Sequence, residues 1–353
     1  MAKNIRKLSK EQFGLLLPLI ENDDITEINW NGRNLIIKDL SRGPYVSDLV
    51  LDQKFIEQFS NNIANVASLP FNPYHPVLEA DMNELRISII HEEVSKTGRT
   101  ISVRKSPAIN RMTTDSILTS GYCPPAMLHF LTNAVNAYAS IVVCGETGAG
   151  KTELLKFLTS YIKTMDRMIT IEAVRELHCS KLHPNHDVIE MEIKDHFSYA
   201  QAIKAALRQS PKWIILSEAR GEEARELITS LSTGHHGLTT VHTDDVRNIP
   251  DRFKTMVKEA ALEERMEADV YRYLDVGVMI RLDELENGGI QRRIDQVCVF
   301  ERPEHGKGQI KMLMNYGEMK EENPMSLPMD LQKKFKDAGI LDPFYKEAVS
   351  YEK

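Results

Sequence analysis

The octapeptide Gly145-Glu146-Thr147-Gly148-Ala149-Gly150-Lys151-Thr152 constrains this chain more than any other stretch. It fits G-x-x-x-x-G-K-[ST] at every fixed position. Its setting also fits, because the apolar run Ile141-Val142-Val143-Cys144 ends against it and a helical pattern begins at Thr152. Glycines allow backbone N–H groups to converge on phosphate oxygens that side chains would obstruct, and the following helix turns its positive end to the same anion. Lys151 then neutralises charge on the β- and γ-phosphates, and the Thr152 hydroxyl is placed to ligate Mg²⁺. The alternative is a glycine-rich turn that fits by chance. The strand before it and the helix after it argue for the nucleotide site.

Downstream, short apolar segments alternate with helical ones. Strands are expected at Ile141 to Cys144, Met168 to Glu172, Val188 to Ile193, Trp213 to Ser217 and Leu238 to His242, with helices at Thr152 to Ile162 and Tyr199 to Arg208. That alternation predicts an α/β fold with a mainly parallel sheet covered on both faces. A long charged helix is expected around Arg252 to Met266. A hairpin is expected from Val276 to Leu282 and Arg292 to Phe300 about the turn Glu286-Asn287-Gly288-Gly289.

The first hundred residues read as a smaller α+β domain. Glu27 to Trp30 and Asn34 to Lys38 flank Asn31-Gly32, a pair that tolerates the positive φ of a tight hairpin. Phe55, Phe59, Ile63 and Val66 recur at helical spacing, while Leu85, Ile87 and Ile89, then Ile101 and Val103, alternate as strands. Periodicity is lost from Ser106, and helical signals resume at Pro124-Pro125. The expected domains are therefore residues 1–105, a linker at 106–118, and residues 119–353. Beyond Phe300, Tyr316 and the stretch Leu331 to Ala338 suggest a strand and a small helix.

With 353 residues and a formal net charge of -7, the chain as a whole is no electrostatic binder of nucleic acid. The segment Met1 to Lys7 is not followed by an apolar core, so no signal peptide is expected. No apolar run approaches the roughly 20 residues that cross a bilayer, and a soluble protein is the expectation. The four cysteines contain no CxxC pair, which suits reduced thiols. The cluster His178, Cys179, His183 and His186 has no standard zinc spacing, and ordinary structural roles are expected for it.

Three further segments follow the glycine loop: Thr170-Ile171-Glu172-Ala173-Val174-Arg175-Glu176-Leu177, Trp213 to Gly221 with Glu218-Ala219-Arg220, and Thr233-Gly234-His235-His236-Gly237 leading to His242. In that order they resemble the acidic box, Walker B segment and histidine box of the type II/IV secretion ATPases. Thr26-Glu27-Ile28 and Ile101-Ser102-Val103-Arg104-Lys105 resemble that family's N-terminal domain. The resemblance runs from about Ile25 to Phe300. It implies a RecA-like P-loop NTPase domain behind a pre-motor domain, with ATP and Mg²⁺ as ligands. It also implies a homo-hexameric ring, peripheral to the cytoplasmic face of the plasma membrane. Such a ring would work on inner-membrane secretion or pilus platform proteins, alone or beside other secretion ATPases. The negative charge and the lack of a basic-aromatic stretch argue against direct binding of nucleic acid.

Under that resemblance Glu172 orients the attacking water, and Glu218 holds Mg²⁺ through water or polarises the nucleophile. His242 senses the γ-phosphate, Arg220 trails the Walker B carboxylate, and Arg104 and then Arg86 act as arginine fingers. Each residue also has a plainer reading. Glu172 could be a solvated cap and Glu218 a partner of Arg220 alone. His242 could be a satisfied core histidine, and Arg86, Arg99 and Arg104 solvated cations. His235 and His236 are expected in a turn. Two departures stand out: Ala173 follows Glu172 where an Asp is usual, and Ser217 precedes Glu218 where a Gly is usual. Both leave Lys151, Thr152, Glu172 and Glu218 in place. The absent CxxC module points to the conjugation, type IV secretion or tight-adherence pilus branches. Two other functions fit the same residues: a nucleotide-gated assembly factor with little turnover, and a RecA-like nucleic-acid translocase.

Overall fold

In the first part of the chain, apolar residues at every second position build an antiparallel sheet. The computed structural model describes residues 8–82, 84–257, 260–285, 289–301 and 307–345; the start Met1 to Lys7 and turn residues 286–288 lie outside them. Two compact units emerge, residues 1–107 with 283–291 and residues 108–282 with 292–353.

In the first unit, β1 (Ile25–Trp30), β2 (Leu35–Asp39), β3 (Gly43–Val46), β4 (Val77–Met82), β5 (Leu85–Ile90) and β6 (Thr100–Lys105) lie in the order β3-β2-β1-β6-β5-β4. The β1–β2 turn closes as expected. Asn31 Oδ1 accepts from the N–H groups of Arg33 and Asn34 at 3.0 and 2.9 Å, and Gly32 takes φ +95°. Along β5 and β6, Leu85, Ile87, Ile89, Ile101 and Val103 are buried, so Arg86 and Arg104 face outward. The helix Gln53–Ala67 lays Ile56, Phe59 and Ile63 on this core, and Asp52 caps it by accepting from Phe55 N at 2.7 Å. The strands β3 and β4 were not expected. Pro44 reads as a turn residue, but an edge strand tolerates it because no ladder donor is needed there.

The second unit holds β7 (Ile141–Cys144), β8 (Met168–Glu172), β9 (Val188–Glu192), β10 (Trp213–Leu216), β11 (His236–Val241), β12 (Val276–Glu284), β13 (Ile290–Glu301), β14 (Gln309–Asn315) and β15 (Glu318–Met319). Their order is β15-β14-β13-β12-β7-β11-β10-β8-β9. From β12 to β9 the pairs are parallel, whereas β13, β14 and β15 pair antiparallel, so the sheet is parallel at its centre and mixed at one side. Successive strand residues point to opposite faces. Ile141, Val143, Trp213 and Ile215 join a core with the helices Pro125–Asn136, Lys151–Thr159 and Met329–Asp337. Val142, Cys144, Ile214 and Leu216 join another with Tyr199–Leu207, Glu223–Leu231 and Ile249–Thr255.

Several expectations need correcting. The single charged helix is two, Ile249–Thr255 and Ala260–Tyr273. The first ends where Met256 and Val257 donate to carbonyls three residues back and bury their side chains. Tyr316 is not in a strand. With Gly317 it forms the turn between β14 and β15, both at positive φ. A helix at Thr114–Thr119 enters the stretch expected as linker. The tail packs on the core, with Phe335 and Phe344 against Phe130 at centroid distances of 5.9 and 5.1 Å. No helix among the described residues is long and apolar enough to cross a membrane.

Asp52→Ala should lower the stability of the first unit by about 1 kcal/mol, and Asp52→Asn by much less, since asparagine also accepts from the capped N–H. Urea or thermal melts of both variants check this, and equal losses would show that the cap hydrogen bond is not what Asp52 contributes.

Candidate nucleotide site

Four parallel neighbours bring the chemistry to one edge of the sheet. β7 sits between β11 and β12, and the next strand in sequence, β8, lies beyond β10. At such a switch point the connections diverge and leave a crevice at the carboxyl ends of the strands. The glycine loop follows β7, Glu172 ends β8, Glu218 stands two residues past β10, and His242 one past β11.

The loop is built by positive φ at Gly145, Gly148 and Gly150. Gly145 is the most constrained of them. At φ +144° an added Cβ would fall 2.5 Å from the carbonyl oxygen of Ile280, so no larger residue fits without displacing β12. Lys151 opens the helix Lys151–Thr159, is buried, and folds back to donate to the carbonyls of Gly145 and Glu146, both at 2.9 Å. Burial holds its pKa below the usual lysine value.

His242 links this lysine to Glu218. Lys151 Nζ lies 3.3 Å from His242 Nδ1, and His242 Nε2 lies 3.0 Å from Glu218 Oε1, at ion-pair distance though not aligned as a hydrogen bond. An ammonium only donates, so this network assigns Nδ1 as acceptor and puts the imidazole proton on Nε2. Burial and the neighbouring Lys151 lower the histidine pKa, consistent with a neutral ring. The other oxygen of Glu218 accepts from Arg220 at 2.5 Å, so Glu218 has both its expected arginine partner and a histidine contact. The Arg220 guanidinium is largely exposed beyond it.

Glu172 is buried, and its Oε1 accepts from the backbone N–H groups of Glu176 and Leu177 at 3.0 and 3.1 Å. It is therefore not a solvated cap. Those bonds curl the segment after β8 back towards the loop and deliver Glu176, whose Oε2 accepts from the Thr152 hydroxyl at 3.2 Å. Glu176 was not singled out from the sequence, because its place is set by the fold-back onto Glu172 and Thr152 and not by any local period. Thr152 and Glu176 thus offer two oxygen donors side by side, the hard ligands that suit Mg²⁺. Ala173 is exposed, so an aspartate there would add a surface carboxylate and leave this arrangement intact.

Other candidates lie elsewhere. His236 opens β11 rather than sitting in a turn, about 16 Å of strand from the site edge. It packs on Tyr138 and Trp213, and burial lowers its pKa to about 3. His183 Nε2 meets the Thr159 hydroxyl at 2.8 Å and His186 Nε2 the Ile162 carbonyl at 3.0 Å. Among the described residues no three His, Cys, Asp or Glu side chains converge as a metal site. In the first unit Arg99 is buried and forks onto Glu92 at 2.7 and 2.9 Å while lying over Phe71. Arg86 and Arg104 are instead cross-strand neighbours on the exposed face.

Fold and site define a protein of RecA-like P-loop fold. The chain belongs to the type II/IV secretion system protein family, whose profile matches residues 77–285. An uncharacterised Bacillus anthracis protein is 30% identical over 276 residues, which cover 76% of this chain and 62% of that relative, so this chain spans under two thirds of its length. VirB11, a type IV secretion system protein of Brucella suis, is 28% identical over 80% of this chain and 87% of its own. The ATPase DotB of Legionella pneumophila shares the fold at TM-score 0.58 and 18% identity, over 85% of this chain and 83% of that one.

Burial pushes the Glu172 carboxyl up to about 7 from an ordinary 4.5. Ionising it costs more in the folded chain than in the unfolded one. The stability it contributes is therefore full below pH 4.5 and is lost as pH rises through about 7, by a few kcal/mol at most. Glu172→Gln carries no such proton. The wild-type Tm minus the Glu172→Gln Tm should fall across that window and then level off, and a flat difference would reject the buried carboxylate.

Proposed function

We propose that this protein is a Mg²⁺-dependent ATPase that powers secretion, conjugation or pilus assembly as a homo-oligomeric, hexameric ring at the cytoplasmic face of the membrane. The observation that carries this reading is the meeting of Lys151, Thr152, Glu172, Glu218 and His242 at one edge of a parallel sheet, in a chain of the secretion family. Lys151 would leave its loop carbonyls for the β- and γ-phosphates, whose oxygens would replace the Gly145 and Glu146 carbonyls as its acceptors. Mg²⁺ would be held by Thr152, with Glu218 reaching it through water, and would supply charge neutralisation at the phosphates. Glu172 orients the attacking water and accepts its proton, a role its raised pKa suits. Residues 1–105 act as the pre-motor domain, joined through 106–118 to the motor domain 119–353.

Arg86 and Arg104 serve as arginine fingers. Strand register sets them opposite each other on β5 and β6, with Asp81 across from Arg86 and Glu27 across from Arg104. Two guanidiniums side by side suit a polyphosphate better than they suit each other. Inner-membrane platform proteins would receive the motion. A second reading, a nucleotide-gated assembly factor with little turnover, draws on Ala173 and Ser217. A nucleic-acid translocase draws no support from the net charge of -7.

The test is steady-state phosphate release with and without Mg²⁺, together with particle mass. Turnover should fall at least about 100-fold in Lys151→Ala and Glu218→Gln, and by on the order of 10³ in Arg104→Ala. Nucleotide binding without wild-type turnover would favour the assembly factor, and a monomer at every concentration with and without nucleotide would refute the ring.

A further inference from the structure

The hairpin arms β12 and β13 touch the glycine loop at separate points. β12 runs beside β7 in parallel register, with Val278 level with Val143 and Met279 with Cys144, so the Ile280 carbonyl lies against Gly145. From β13, Arg292 reaches over the loop. Its Nε donates to the Gly148 carbonyl at 3.2 Å, and its Cδ stands 3.7 Å from where a side chain on Gly150 would begin. The strand is anchored just beyond, where Ile294 N donates to the Tyr122 carbonyl at 2.8 Å. Ile294 and Arg292 share a strand face, and Ile294 sits in the core that also holds the loop's helix. Burial lowers the Arg292 pKa, and a guanidinium, which proteins do not deprotonate, remains a charged donor.

We propose that Arg292 is a positioning residue for the nucleotide cradle, fixing the Gly148–Ala149 peptide so that the Ala149 N–H is presented to phosphate. In a trans peptide the C=O and the following N–H point in opposite directions. A carbonyl drawn out to Arg292 therefore turns the Ala149 N–H into the loop, where it already faces the Glu146 carbonyl at 3.3 Å. Bound phosphate would take that N–H. The hairpin thus sets the cradle's shape from outside, and Arg292 touches no reacting atom.

This rests on the loop at 145–152 being the nucleotide site. Arg292→Ala should weaken ADP binding and raise KM for ATP about tenfold, equivalent to about 1.4 kcal/mol, while kcat stays within about threefold. A presented amide grips substrate, transition state and product alike, so the loss is one of uniform binding. Arg292→Lys keeps the charge but not the rigid fork, and should fall between, at about threefold. Both should melt within a few degrees of the wild type. Wild-type ADP affinity and KM in Arg292→Ala would overturn the proposal, as would a fall in kcat at unchanged KM. Should Arg292→Ala not fold, Arg292→Lys decides: weaker ADP binding at a wild-type Tm supports the proposal, and wild-type binding overturns it. Lys151→Ala separates the two levels. If the wild type binds ADP no better than Lys151→Ala, the nucleotide reading falls and the proposal with it. If it binds better while both Arg292 variants match it, only the proposal fails.

Discussion

The site depends on the burial of one short strand. Ile141 to Cys144 expose none of their surface, and each residue is committed to one of two cores on opposite faces of the sheet. A strand so placed must pair on both edges, because an unpaired backbone group there would cost what a lost hydrogen bond costs. Its neighbours β11 and β12 meet that need, and the parallel register they adopt aligns the strand ends. The edge of the sheet where the chain leaves β7 is then also the edge where it leaves β8, β10 and β11. Chemistry distant in sequence is gathered by a requirement that begins with four apolar residues.

Electrostatics grade the residues gathered there. Lys151, His242, Glu218 and Arg220 form a run from a buried lysine to an exposed arginine, with the histidine and the glutamate half-buried between them. The charges of Lys151, Glu218 and Arg220 alternate along it, and the neutral imidazole separates the first two. Glu172 stands apart from this run, held by two backbone donors and deprived of solvent, so its proton affinity is set by burial and opposed by hydrogen bonds. The two glutamates that the sequence makes look equivalent are in different environments, and different environments permit different roles.

Much of this was legible in the residues. Octapeptide, flanking strand and helix were readable because each rests on local chemistry, and β8, β10 and β11 because their apolar runs are dense. What escaped depends on partners. β3 takes its extended form from its neighbour, since Pro44 gives little sign of it, whereas β4 was overlooked although Leu78, Ala80 and Met82 alternate with Glu79 and Asp81. The helix Glu223–Leu231 has its apolar residues diluted by Glu and Arg and is stabilised by burying one face. The helix Ile249–Thr255 ends at Met256 and Val257, neither of which breaks helices, so its end could not be read from local propensity. Glu176 and Arg292 were missed for the same reason, since each acquires its place only when a second segment folds back upon the loop.

The register between β5 and β6 has one further consequence. By setting Arg86 opposite Arg104, with Glu27 beyond one and Asp81 beyond the other, it lines up two guanidiniums between two carboxylates across the sheet. An anion resting on that line would meet two positive charges at once, each already facing a carboxylate that the anion would have to outcompete.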